Sequence, residues 1–130
     1  MADYLLGLWR GLTNDKIWQV WSSYNPIEGI TSHAGYLDNQ PLYDLLSSLF
    51  NDGKSVQKHV YVSANDAISG SYIPFALHDE TKSVEYRVSA VVGSASMPFV
   101  FPPRNMSKFG IDALLIDGGS TWNNNMISAV

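Results

Sequence analysis

Ile111-Asp112-Ala113-Leu114-Leu115-Ile116-Asp117-Gly118-Gly119-Ser120-Thr121-Trp122-Asn123-Asn124-Asn125 is the stretch whose reading decides the fold. Ala113 to Ile116 form a short apolar run bounded by Asp and Gly, the pattern of a buried strand. Gly118 and Gly119 break that run, and paired glycines open backbone conformations closed to other residues. Asp117 is therefore expected at the carboxyl end of a strand, at the mouth of a turn. In open α/β sheets ligands bind at that edge. An Asp before Gly is equally a turn residue that hydrogen-bonds its own backbone. Asn123 to Asn125 can cap a following helix begun by Met126, Ile127, Ala129 and Val130.

Outward from this stretch, Tyr86 to Ser96 has helical period, with Val88, Val91, Val92 and Ala95 on one face. Gly93, Ser94, Ala95 and Ser96 are small and would let that helix approach another backbone closely. Pro98, Pro102 and Pro103 interleave with Phe99, Val100 and Phe101 to make an extended apolar segment. Val60, Tyr61 and Val62 are good strand formers, so His59 to Ala64 reads as a strand. A turn follows over Asn65 to Gly70, and Tyr72 to Leu77 returns as a second strand, with Pro74 placing it at an edge. The β-rich, non-alternating composition of Val60 to Ala64 and Ala113 to Ile116 makes them the central strands.

The front of the chain is more helical. Leu5, Leu8, Trp9 and Leu12 put one apolar face on a helix over Ala2 to Leu12, weakened by Gly7 and Gly11. Such a helix needs something to pack on. Thr13-Asn14-Asp15 looks like a cap for a short helix over Lys16 to Ser22 that carries Trp18 and Trp21. Tyr24 to Gln40, with Pro26, Gly29 and Gly35, reads as a long irregular connection of the kind that serves as a binding loop. Pro41 to Phe50 is the clearest helix: Pro41 suits its first turn, and Leu42, Leu45, Leu46, Leu49 and Phe50 form a stripe to be buried. Asn51-Asp52-Gly53 ends it.

The 130 residues suffice for one domain with a core. A net charge of −4 without a Lys/Arg cluster argues against a nucleic-acid surface. The chain has no cysteine, which excludes disulfides, Cys-ligated zinc and a Cys nucleophile. No apolar run reaches membrane-spanning length. The N-terminus lacks the basic region of a signal peptide, so a cytoplasmic or membrane-peripheral location is expected. His33, His59 and His78 could be put forward as a metal trio, but their spacing matches no ligand motif.

Ser94-Ala95-Ser96-Met97-Pro98-Phe99-Val100-Phe101-Pro102-Pro103, followed by Leu115-Ile116-Asp117-Gly118-Gly119 and Asn123-Asn124, resembles the patatin-like phospholipase family. That family carries a small-residue helix end, then Pro-x-x-Phe-Pro-Pro, then a strand ending in Asp-Gly-Gly or Asp-Gly-Ala, then an Asn pair. Val60 to Gly70, with Ala64, Asp66 and Gly70, resembles its strand and x-Asp-x-x-x-Gly element. Asp38 to Leu46 resembles the segment leading into its Leu-rich helix.

The resemblance implies an α/β fold, a three-layer sandwich around a mostly parallel central sheet. It implies lipid acyl-ester hydrolysis by a Ser–Asp dyad without histidine, cofactor or metal. Its substrate would be a lipid ester, met through peripheral membrane contact. The Asp accepts the serine proton, and backbone N–H groups hold the oxyanion. Asp117 matches the family's catalytic Asp, with Gly118 and Gly119 completing the motif. The chain departs from the family at Asn125, where Pro is frequent, and more seriously in having no Gly-x-Ser-x-Gly elbow and no Gly-rich oxyanion loop. Gly118-Gly119-Ser120-Thr121-Trp122 lacks the final Gly and follows the wrong strand, so Ser120 is not the expected nucleophile. Residues 1–130 thus resemble a partial patatin-like domain, its second half, expected to be inactive alone. The alternative is a non-catalytic remnant that binds lipid or protein.

Overall fold

The fold is given by a computed structural model that describes residues 2–22, 26–52, 56 and 58–120. Helix α1 (Ala2–Arg10) leads through a 3-10 turn at Asn14–Lys16 to α2 (Pro26–His33) and α3 (Gln40–Phe50). Strands β1 (Tyr61–Asp66) and β2 (Tyr72–Ala76) come next, then α4 (Val84–Ser94), β3 (Arg104–Asn105) and β4 (Leu114–Asp117). Further 3-10 turns lie at Ser107–Phe109 and Gly118–Ser120.

The strands form one sheet in the order β2-β1-β4-β3, and each neighbouring pair is antiparallel. The chain is mixed α/β as expected, but the mostly parallel sheet is corrected. Parallel neighbours need a long crossover. Here β1 returns as β2 after a tight turn, in which Gly70 takes a φ of 72° and donates its N–H to Asp66 O. The long connection through α4 brings β4 back beside β1 in the opposite direction, with Ala64 opposite Asp117 and Asp66 opposite Leu115. β1 and β4 are the central pair, and Pro74 does lie on an edge strand.

Helix α4 covers β1 and β4, and α3 packs on α4. Ser83 caps α4, its hydroxyl accepting from Tyr86 N–H at 3.1 Å. The small residues toward the end of α4 do what their size suggested: a Cβ on Gly93 would come within 2.7 Å of the Leu115 Cβ. Ala64, Phe75, Leu77, Ala90, Met106, Ala113 and Leu115 form the core between sheet and helix.

Two expectations for the front of the chain are corrected. Lys16 to Ser22 is not a helix. The 3-10 turn ends at Lys16, and Gln19 exchanges both backbone hydrogen bonds with Asp38, each 2.9 Å, which holds it extended. The irregular connection contains α2, because Pro26 supplies a helix-compatible first residue. Gly29 lets α2 close on Trp21: a Cβ there would stand 2.8 Å from the indole. Trp21 also stacks on His33 and donates to Gly35 O at 3.0 Å.

The leucine stripe of α3 is not sealed either. None of the helix's residues is fully buried. Leu42, Leu46 and Leu49 look across an open groove of about 1020 Å³ toward Leu5, Trp9 and Leu12 of the opening segment. Trp9 is 75% exposed, so α1 has apolar surface that nothing here covers among the described residues. The Asn123 to Asn125 cap, the helix expected after it, and Gly53 lie outside the described residues.

Leu115→Ala should cost about 2–5 kcal/mol, as for a sealed core site. Leu46→Ala, at the groove, should cost less than about 2 kcal/mol because solvent already reaches part of the site. Urea titration of the two variants beside the wild type measures the difference.

Candidate functional site at the end of strand β4

Asp117 is the last residue of a central strand, and its side chain is half-buried. Strand alternation puts it on the same face as Leu115, toward α4. Backbone bonds fix it on both sides. Its N–H donates to Ser96 O at 2.9 Å, just past the end of α4. Its carbonyl accepts from Asn65 Nδ2 at 3.0 Å, and the same amide group reaches Gly118 O at 3.3 Å. The carboxylate Oδ1 accepts from Gly119 N–H at 2.8 Å. The strand-end position and the turn hydrogen bond, read separately from the sequence, are thus both present in one residue.

Gly118 is required by space. A Cβ there would stand 2.4 Å from Ser63 O on β1. Ser94 Oγ donates to that same Ser63 carbonyl at 2.5 Å, so β1, the end of α4 and the turn after β4 meet at one point. Ser96 is fully buried. Its hydroxyl donates to Val92 O at 2.8 Å and accepts from Asn39 Nδ2 at 3.2 Å, which ties the entry to α3 to the same place. Beyond it, the Pro98–Pro103 segment runs against residues 35–37. Tyr36 N–H donates to Phe99 O and Leu37 N–H to Val100 O, at 2.9 and 2.8 Å. A Cβ on Gly35 would come within 2.4 Å of Pro102 N. Phe99 is held at a φ of 67° with its side chain 82% exposed. A left-handed backbone is unfavourable for a residue with a Cβ and is found where surrounding structure imposes it. Met97 is exposed beside it.

Ser120 is exposed on the turn beyond Gly119. The three histidines do not form a trio. His33 stacks on Trp21, whereas His59 and His78 stack on each other. Among the described residues no three His, Cys, Asp or Glu side chains gather to hold a metal ion. No helix among them is long and apolar enough to cross a membrane.

Asn65 and Asn39 were not singled out from the sequence, and Ser96 was named only for its small size, since polar residues of these types carry no periodic signal. Asp66 was singled out, as part of the x-Asp-x-x-x-Gly element. It is only 5% exposed. Its carboxylate accepts from Ser69 Oγ at 2.5 Å, from Leu114 N–H and Ser69 N–H at 3.0 Å each, and from Ile68 N–H at 3.3 Å. The Ser69 hydroxyl, then the Leu114 and Ser69 N–H groups, lower its pKa from the ordinary 3.8 to about 2. These four bonds pin the β1–β2 turn to β4.

Together these features define a small mixed α/β protein with an antiparallel sheet and a carboxylate at the end of a central strand. Comparison with protein-family models, with curated proteins and with solved structures gives no match to the chain.

Because folding lowers the Asp66 pKa, its contribution is complete above the ordinary carboxylate value and is lost as pH falls through about 2. Asp66→Asn should therefore be less stable than wild type at neutral pH, and the gap should narrow between about pH 4 and pH 2. Denaturant titrations of both proteins across that range give the comparison.

Proposed function

We propose that this chain is the acid-bearing part of a patatin-like lipid acyl hydrolase, in which Asp117 is the proton acceptor of a Ser–Asp dyad. The observation that carries the reading is the convergence on Asp117 of the segments that resemble the family. The small-residue end of α4 reaches it through Ser96, β1 through Asn65, and the Gly118 turn through Ser63. A carboxylate held this way is pre-positioned, since its backbone is fixed at both peptide bonds. Oδ1 takes the Gly119 N–H, and Oδ2 is the oxygen that would take the serine proton. The serine elbow and the oxyanion donors would come from polypeptide outside residues 1–130, and the elements here would form part of a three-layer patatin-like sandwich. A lipid ester is the proposed substrate. Exposed Met97 and strained, exposed Phe99, close in sequence to Ser96, offer apolar side chains for peripheral contact with a lipid surface.

A non-catalytic lipid- or protein-binding module is the second reading. The apolar groove between α1 and α3 favours it, because a groove binds without any nucleophile.

Turnover of p-nitrophenyl esters separates the two. The 130-residue chain should show none. A longer polypeptide that adds an upstream elbow serine should hydrolyse short acyl esters, and Asp117→Asn in it should lower kcat on the order of a thousandfold, because an amide cannot take the proton. His33→Ala, His59→Ala and His78→Ala should leave turnover intact. Turnover by the short chain that survives Asp117→Asn would overturn the dyad.

Phe99→Gly tests the lipid contact. It should keep or slightly raise stability, since glycine adopts a positive φ freely, while it weakens sedimentation with phosphatidylcholine vesicles. Unchanged vesicle binding would remove Phe99 from that surface.

A further inference from the structure

The hairpin of β1 and β2 ends, away from its turn, in two histidines that the dyad does not use. The ladder pairs Tyr61 with Ala76, and Leu77 N–H continues it to Val60 O at 2.9 Å. The next cross-strand pair is therefore His59 and His78. Their rings stack with centroids 4.3 Å apart and planes 24° apart, and Tyr61 meets the His78 ring edge-on at 5.1 Å. His59 is exposed and His78 half-buried, so one ring is anchored while both reach solvent.

We propose that His59 and His78 form a two-histidine site for a divalent transition-metal ion of the class that imidazole binds, with Zn²⁺ as its probe. Two imidazole nitrogens sharing one ion at about 2.0–2.1 Å each stand roughly 3–4 Å apart. In the stack the lone pairs lie in nearly parallel planes, so both rings must turn out of it about χ2 before their nitrogens converge on one ion, and the directly opposed cross-strand positions keep the two side chains within that reach. The backbone supplies the outer support that metal-binding histidines use. His78 Nδ1 lies 3.3 Å from both Val60 N and Val60 O. As an acceptor it takes the N–H; as a donor it gives its proton to the carbonyl. The second tautomer leaves Nε2 with a free lone pair, directed away from the backbone and available to a metal. Coordination uses the neutral form of each imidazole. With two protein nitrogens, water completes the coordination. The site is independent of Asp117 and of the dyad.

The test is a Zn²⁺ titration of the full chain without an affinity tag, followed by long-range ¹H–¹⁵N spectra of the imidazoles. The His59 and His78 nitrogens should shift together and saturate together, with His33 unmoved. His59→Gln and His78→Gln should each abolish the response, and His33→Gln should leave it as in wild type. Circular dichroism checks that the variants fold, and exposed His59 makes its variant the safer of the two. Shifts confined to His33, no shift at either paired ring, the same shifts with Mg²⁺, or a response that persists in folded His59→Gln would each overturn the site.

Discussion

Helix α4 can lie on the two central strands because Gly93 has no side chain where the Leu115 Cβ comes closest. That approach brings the end of α4 near enough for Ser94 Oγ to bond Ser63 O and for Ser96 O to take the Asp117 N–H. Leu115 and Val88 are then fully buried, and burying such side chains is the main favourable term in folding a chain of this size. A larger residue at 93 would push helix and sheet apart, and the hydrogen bonds that hold Asp117 would open with the core. Packing and site are thus one constraint here. The smallness of 93–96 acts on both.

The two carboxylates of the central strands show how environment assigns different roles. Asp66 accepts four hydrogen bonds, from two backbone segments and a hydroxyl, and its charge is stabilised accordingly. A carboxylate so saturated is a poor base, because a proton would have to displace its donors. Asp117, across the ladder and at the other end of the overlap, is fixed by its peptide groups instead, and its carboxylate takes one bond from Gly119. The structural acid takes four donors on its carboxylate, three of them backbone N–H groups, whereas the candidate catalytic carboxylate takes one and leaves Oδ2 without a hydrogen bond of this kind among the described residues. This contrast gives the proposed dyad a physical basis that the Asp-Gly-Gly pattern alone does not supply.

Polar links across the molecule also set how firmly the front of the chain is attached. Asn39 to Ser96, Gln19 to Asp38 and the pairing of residues 36–37 with 99–100 bind the entry of α3 to the site. α1 borders the open groove. The body that carries Asp117 is therefore densely connected, while the opening helix presents leucines and Trp9 to solvent.

Much of the fold was legible in local sequence. The apolar runs at 60–64 and 113–116 specified the two central strands (although Val60 and Tyr61, at the start of the first, are exposed rather than buried), Pro74 an edge, and the leucine period the helix α3, because each pattern is set by the geometry of one element. Asp117 before Gly118-Gly119 placed a carboxylate at a strand end for the same reason. Strand direction was not legible: it depends on how the path through α4 returns β4 along β1, and an apolar run reads alike in either sense. Helix α2 was missed because Pro26 and Gly29 serve there as first helical residue and as a contact with Trp21, roles that exist only once Trp21 is in place. The Asn65, Ser96 and Asn39 bonds join residues far apart in sequence, and so does the pairing of His59 with His78. Sequence by itself determined what each segment could be. Only the tertiary structure decided which segments meet, because meeting depends on distances in space that no local period encodes.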